Sequence, residues 1–161
     1  MSIQLLEQYR VTRRQVLAFG GSALVTAALM GLPISRAEAS PKEAKAKLKE
    51  LAKGAELQKD RVNITLPALT QDGSRTRISV AVDSPMTETD YVKALHILAE
   101  RNTVPGVATY RFTPLSGKAE VTTRIRVAKS QTIIAAAEMS DGSIYYTKAR
   151  CKVARGAGGC G

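Results

Sequence analysis

The sequence predicts an all-β protein: an immunoglobulin-like β-sandwich of about seven strands, with a short N-terminal helix and a flexible Gly-rich C-terminal arm. Three observations carry that expectation. From Val62 onward, apolar residues recur with period two in runs closed by Gly, Pro, Ser and Asp turn clusters at close spacing. Strands that alternate in this way hide one face each, so two sheets packed face to face are the simplest means of burying them. The composition is globular, 44% hydrophobic and 24% charged, and with no Trp and only 4% aromatics the core has to be aliphatic.

The elements follow in chain order. Ser40-Pro41-Lys42-Glu43 is a capping box with Pro at the first helical position. A helix is expected over residues 41–59, where Ala44, Leu48, Leu51, Ala52 and Ala55 recur at helical spacing among lysines. Its apolar stripe is thin, so it has to lean on the domain or on a partner to persist. Val62, Ile64 and Leu66 alternate until Pro67 ends the run. Gln71-Asp72-Gly73-Ser74 reads as a turn, and Ile78, Val80 and Val82 alternate up to the break at Ser84-Pro85. Residues 91–100 are mostly apolar and read as a central strand, with a short helix as the competing reading. Pro105-Gly106 leads into a strand over 107–112, and Ser116-Gly117 turns the chain again. Val121, Thr123, Ile125 and Val127 then face one way, while Glu120, Thr122, Arg124 and Arg126 face the other. Residues 131–138 form a small-residue apolar strand, Ser140-Asp141-Gly142 a tight hairpin, and 143–153 the last strand, which runs directly into the tail.

Ahead of these elements stands an export address. Thr12-Arg13-Arg14-Gln15-Val16-Leu17 is a twin-arginine pattern, followed by an apolar stretch diluted by Gly and Ser and by the small-x-small cleavage site Ala37-Glu38-Ala39. Arg13 and Arg14 are therefore the expected export signal, and the periplasm the expected compartment. The apolar stretch also fits a membrane anchor by length; the arginine pair and the cleavage site favour a cleaved leader, which leaves no stable anchor. The expected organisation is a signal peptide over 1–39, a helical segment over 40–60, the sandwich over 61–154 and the arm over 155–161. Net charge is +10, and removal of the leader takes away four Arg and two acids. An exported protein meets no genome, so this basic balance points to anionic small molecules or acidic protein surfaces and not to nucleic acid. Lys148, Arg150 and Lys152 on the outward side of the last strand, with Arg124 and Arg126 elsewhere, are the candidate positive surface; solvated strand faces are the alternative.

Chemistry is confined to few side chains. The chain has two Cys and one His. Their spacing matches none of the usual zinc patterns, so neither a metal nor another cofactor is expected. No nucleophile–histidine motif and no phosphate loop is present. His96 lies among apolar residues and reads as a satisfied structural histidine. Cys151 shares by alternation a face with Tyr145, Thr147, Ala149 and Val153, the more apolar side of its strand, and reads as a small buried hydrophobe. Cys160 stands one residue from the carboxyl end in Gly156-Ala157-Gly158-Gly159-Cys160-Gly161. Such a stretch resists order, so Gly156, Gly158, Gly159 and Gly161 present the thiol on a thin arm. The span from Val153 to Cys160 reaches at most about 25 Å, enough to enter a partner's pocket. Three readings follow: a thiol that carries a covalent group, a thiol–disulfide redox pair of Cys151 and Cys160, or an exported binding module with an inert tail.

From Asp60 onward the sequence resembles the SoxY family, the sulfur-carrier subunits of the Sox sulfur-oxidation system. The resemblance rests on Asp83-Ser84-Pro85-Met86-Thr87, Asp90-Tyr91-Val92, Ala99-Glu100-Arg101-Asn102 and Val107-Ala108-Thr109. The run from Ser116 through Arg126, Ser130-Gln131-Thr132, Ala137 through Gly142 and the Gly158-Gly159-Cys160-Gly161 end complete it. It implies an immunoglobulin-like fold, a heterodimer with the Z subunit, and sulfur intermediates attached covalently to Cys160. The implied partners are a haem-containing enzyme that conjugates thiosulfate to the thiol, a hydrolase that releases sulfate, and in some systems a sulfane dehydrogenase. The chain would then be a carrier and not itself an enzyme. It departs from the family pattern in ending after a single Gly, in Arg155-Gly156-Ala157 ahead of the terminal glycines, and in the extra thiol Cys151. The short end brings the terminal carboxylate close to the sulfur, which disfavours the thiolate.

Overall fold

The computed structural model of the chain describes residues 40–155. The twin-arginine pair Arg13 and Arg14, the cleavage site after Ala39 and the arm with Cys160 lie outside the described residues.

The helix, α1 (Pro41–Ala52), begins where the capping box predicts: the Ser40 hydroxyl accepts from the Glu43 amide at 3.4 Å. It stops well short of residue 59. Lys53 and Gly54 both take left-handed backbone (φ 49° and 91°), and the Lys53 amide closes the end onto the Glu50 carbonyl. Gly54 adopts that conformation without steric cost. Ala55 therefore leaves the helical stripe, and Ala44, Leu48 and Ala52 alone form the buried face.

Nine strands follow: β1 (Leu57–Gln58), β2 (Val62–Thr65), β3 (Leu69–Asp72), β4 (Thr76–Val82), β5 (Val92–Ala99), β6 (Gly106–Arg111), β7 (Ala119–Ile125), β8 (Gln131–Met139) and β9 (Ile144–Arg155). Seven of them answer to the expected strands. The other two, β1 and β3, are short parallel additions to the free side of β9. The larger sheet runs β1-β9-β8-β5-β6, with β3 also on β9, and the smaller runs β2-β4-β7. The expected immunoglobulin-like sandwich is therefore what forms, and residues 92–99 are strand, not helix.

The interior between the sheets is aliphatic, as the scarcity of aromatics requires. Ile78 and Val80 of β4 meet Leu95 and Ile97 of β5 and Ile133, Ala135 and Ala137 of β8, all fully buried. The opposite face of the larger sheet is buried too. Leu48 of α1 packs on Leu98, Ile134 and Ala136, with Leu51, Leu57 and Tyr146 at the margin. This contact stabilises a helix whose own stripe is too thin for independence.

Candidate functional site at the end of the last strand

β9 is the longest strand, at 12 residues, and every part of it is braced. On one side it pairs with β8, from Ile144 opposite Glu138 to Cys151 opposite Gln131. On the other, β1 covers Ile144 and Tyr145, and β3 covers Lys152, Val153 and Arg155. The Lys152 amide donates to the Ala68 carbonyl at 2.8 Å, and the Val153 amide to the Ser130 hydroxyl at 2.9 Å. At the same level Gly73 starts a 3₁₀ turn whose end is held by the Asp72 carboxylate, which accepts from the Ser74 amide and hydroxyl. A Cβ on Gly73 would collide with the Val127 carbonyl oxygen and come within 2.9 Å of the Val153 side chain. The absence of a side chain there lets the turn before β4 and the segment after β7 approach the C-terminal part of β9 closely. Asn102 and Gln131 complete this end. Gln131 accepts from the Arg101 amide (2.6 Å) and donates to Asn102 (2.8 Å), and Asn102 takes the Ala128 amide and donates to the Arg126 carbonyl.

Cys151 sits inside this brace. It is fully buried, its weak S–H donor lies 3.6 Å from the Lys152 carbonyl, and it forms no disulfide within the described residues. Burial pushes its thiol pKa up. A protonated, enclosed thiol is a poor nucleophile, so Cys151 is placed as alternation predicts, as a small apolar wall.

The candidate basic surface is divided. Lys148, Arg150 and Lys152 are exposed on the outer side of β9, with the Lys148 ammonium 5.5 Å from the Tyr146 ring. Arg124 lies on the outer side of the smaller sheet, in register with Arg77 of β4. Two rungs along, on the same face, Ser79 pairs with Thr122, their hydroxyls 2.9 Å apart. The two basic sets thus occupy opposite faces of the sandwich. Sequence reasoning missed the Arg77–Arg124 opposition, because only the register reveals it.

His96 differs from its expected state. Its Nδ1 meets the Thr109 hydroxyl at 3.0 Å, but Nε2 is buried without a hydrogen-bond partner. Burial lowers its pKa. Among the described residues no three His, Cys, Asp or Glu side chains form a metal-binding group, and no helix is long and apolar enough to cross a membrane.

The family model for the sulfur oxidation protein SoxY matches residues 48–160. The chain belongs to the SoxY family. Among solved structures, the sulfur carrier protein SoxY from Chlorobium limicola f thiosulfatophilum superposes with a TM-score of 0.59 at 22% identity, over 71% of this chain and 98% of that one. A superoxide reductase (neelaredoxin) from Ignicoccus hospitalis superposes with a TM-score of 0.53 at 14% identity, over 74% and 98%. At these identities the likeness is one of fold, shared by proteins of different chemistry. No curated protein matches the chain. The SoxY match runs through the braced β9 and on to Cys160, so the strand end described above is part of the family's own domain.

Proposed function

We propose that this SoxY-family chain is a covalent sulfur carrier whose attachment point is Cys160. The observation that carries the reading is the burial of Cys151. The chain has two cysteines, and the one inside the sandwich is fully enclosed with its thiol held protonated. Cys160, on a Gly-rich stretch beyond the last braced strand, is the thiol left for chemistry. The same burial argues against a Cys151–Cys160 redox pair, since a bond to Cys151 would require the strand around it to open.

In this reading a haem-containing partner takes two electrons as the Cys160 thiol and thiosulfate join. The Cys–S–S–SO₃⁻ adduct forms with loss of the thiol proton. Water, delivered by a hydrolase, then cleaves the bond to the sulfonate group, releasing sulfate and leaving a persulfide on Cys160. Where a sulfane dehydrogenase is present it oxidises that remaining sulfur. The chain itself supplies no catalytic group; it presents the thiol. The role is set in the periplasm, reached by the Arg13-Arg14 signal and cleavage after Ala39, in a heterodimer with a Z subunit. The braced end of β9 supports it mechanically, because a carrier arm is most useful when its root is fixed.

The test is intact mass of the mature chain after incubation with thiosulfate and the conjugating enzyme. Wild type and Cys151→Ser are expected to gain a thiosulfate adduct, and Cys160→Ser none. Sulfur on Cys160→Ser, or a Cys151→Ser variant that folds but cannot load, overturns the assignment.

A further inference from the structure

A cleft of about 600 Å³ lies between α1 and the outer surface of β5 and β6, lined by Lys47, Leu51, His96, Leu98, Thr109 and Arg111, among others. It is far from β9's end in the sheet order and owes nothing to either cysteine. Its polar groups converge by register. His96 stands opposite Thr109, and Arg111 follows Thr109 on the same side of β6, two residues along, with Lys47 facing them from the helix. Arg111 has no ion pair among the described residues, whereas Lys47 is shared with Glu50 at 2.8 Å. The single histidine contributes a buried Nε2 that nothing satisfies, and unsatisfied buried polar atoms are rare enough in native proteins to call for an explanation. Leu51 and Leu98 give the cleft an apolar wall beside this cationic corner.

We propose that this cleft binds a small oxyanion, a sulfate-like ion or a sulfonate on a short apolar tail, through Arg111, Lys47 and His96. The guanidinium and ammonium supply charge-assisted hydrogen bonds, and the charged imidazole adds Nε2–H as a third donor while its Nδ1–H donates to the Thr109 hydroxyl. The apolar wall accommodates a tail, the usual make-up of a small-ligand pocket. Lys47 and Lys53 from the helix segment, Arg111 from β6 and Glu138 from β8 face the imidazole; Glu138 favours its charged form and the three cations oppose it. A bound anion offsets those cations, so binding is accompanied by proton uptake at His96 and tightens as pH falls through the histidine range.

His96 is the only histidine, so its ring gives the only imidazole signals in an NMR spectrum of the full chain. Sodium sulfate, sodium thiosulfate and sodium hexanesulfonate are titrated in turn against sodium chloride at matched ionic strength. The expected result is a saturable shift of the His96 ring signals and an upward move of their titration midpoint with at least one of the three. Binding should weaken roughly tenfold or more in Arg111→Gln and stay unchanged in Arg124→Gln on the other sheet. Tighter binding of hexanesulfonate marks a tailed ligand; equal or better binding of sulfate or thiosulfate marks an inorganic one. Arg111 is exposed, and the His96 signals themselves report whether the variant is folded. No saturable shift beyond chloride with any of the three salts, or the same shift in Arg111→Gln, overturns the proposal.

Discussion

The two sheets of this sandwich are built to different rules. The larger one is buried on both faces at its centre, by the smaller sheet on one side and by α1 on the other, over β5 and β8. Its strand β8 is accordingly enclosed at Ile133, Ile134, Ala135, Ala136 and Ala137 alike. The smaller sheet is buried on one face only, and β4 and β7 alternate between core residues and an outer surface of Arg77, Ser79, Thr122 and Arg124. The difference follows from what each sheet packs against. It also places the features of functional interest: Cys151, the C-terminal end of β9 and the cleft beside α1 all belong to the larger sheet.

Substitutions that separate the two sheets can break this comparison. The largest effect is expected from Ile134→Ala, on the helix-facing side of β8, which removes a fully buried side chain from the contact with Leu48. It should cost about 2–5 kcal/mol in chemical denaturation, while Thr122→Ala on the outer side of the smaller sheet stays within about 0.5 kcal/mol. Equal losses at both positions would mean that α1 does not cover the larger sheet. Gly73→Ala is next, at roughly 1–3 kcal/mol, since its methyl group meets the Val127 carbonyl and Val153. Hydrogen exchange should show the Val153 amide losing protection in that variant ahead of the β4–β7 amides. Cys151→Ser should follow, at about 1–3 kcal/mol, because it buries a hydroxyl in an apolar setting. The smallest effect has the opposite sign. Arg124→Thr relieves a like-charge pair with Arg77 and should stabilise by roughly 0.2–1 kcal/mol, more at low salt than at high; a loss of stability would mean that the pair is compensated.

The same contrast governs what could be read from the residues. The alternating strands of the smaller sheet and the inward setting of Cys151 were legible, because period two survives wherever one face is wet. The apolar stretch of β5 was ambiguous between strand and helix, since a strand enclosed on both faces loses its alternation. β1 and β3 were illegible: two and four residues long, with no alternation of their own, they exist because β9 offers an open side. The helix end carried its signal in Gly54, but Ala55 prolonged the apolar periodicity and masked it. At the candidate site, the division of the basic residues between two faces and the unsatisfied His96 depend on register and on where α1 comes to rest, and no local pattern encodes either.

The two thiols differ in kind: Cys151 is a wall of the larger sheet, and Cys160 is the proposed carrier. Alkylation of the native mature chain, followed by peptide mass mapping over time, tests this difference most directly. Reactivity follows thiolate fraction and access, and Cys151 can react only through local opening of its strand. An opening free energy of about 3 kcal/mol makes that roughly a hundredfold slower than an exposed thiol. Cys160 should label rapidly, and Cys151 slowly or only after denaturation. Labelling of both cysteines at comparable rates in the folded protein, or of Cys151 first, would contradict the assignment.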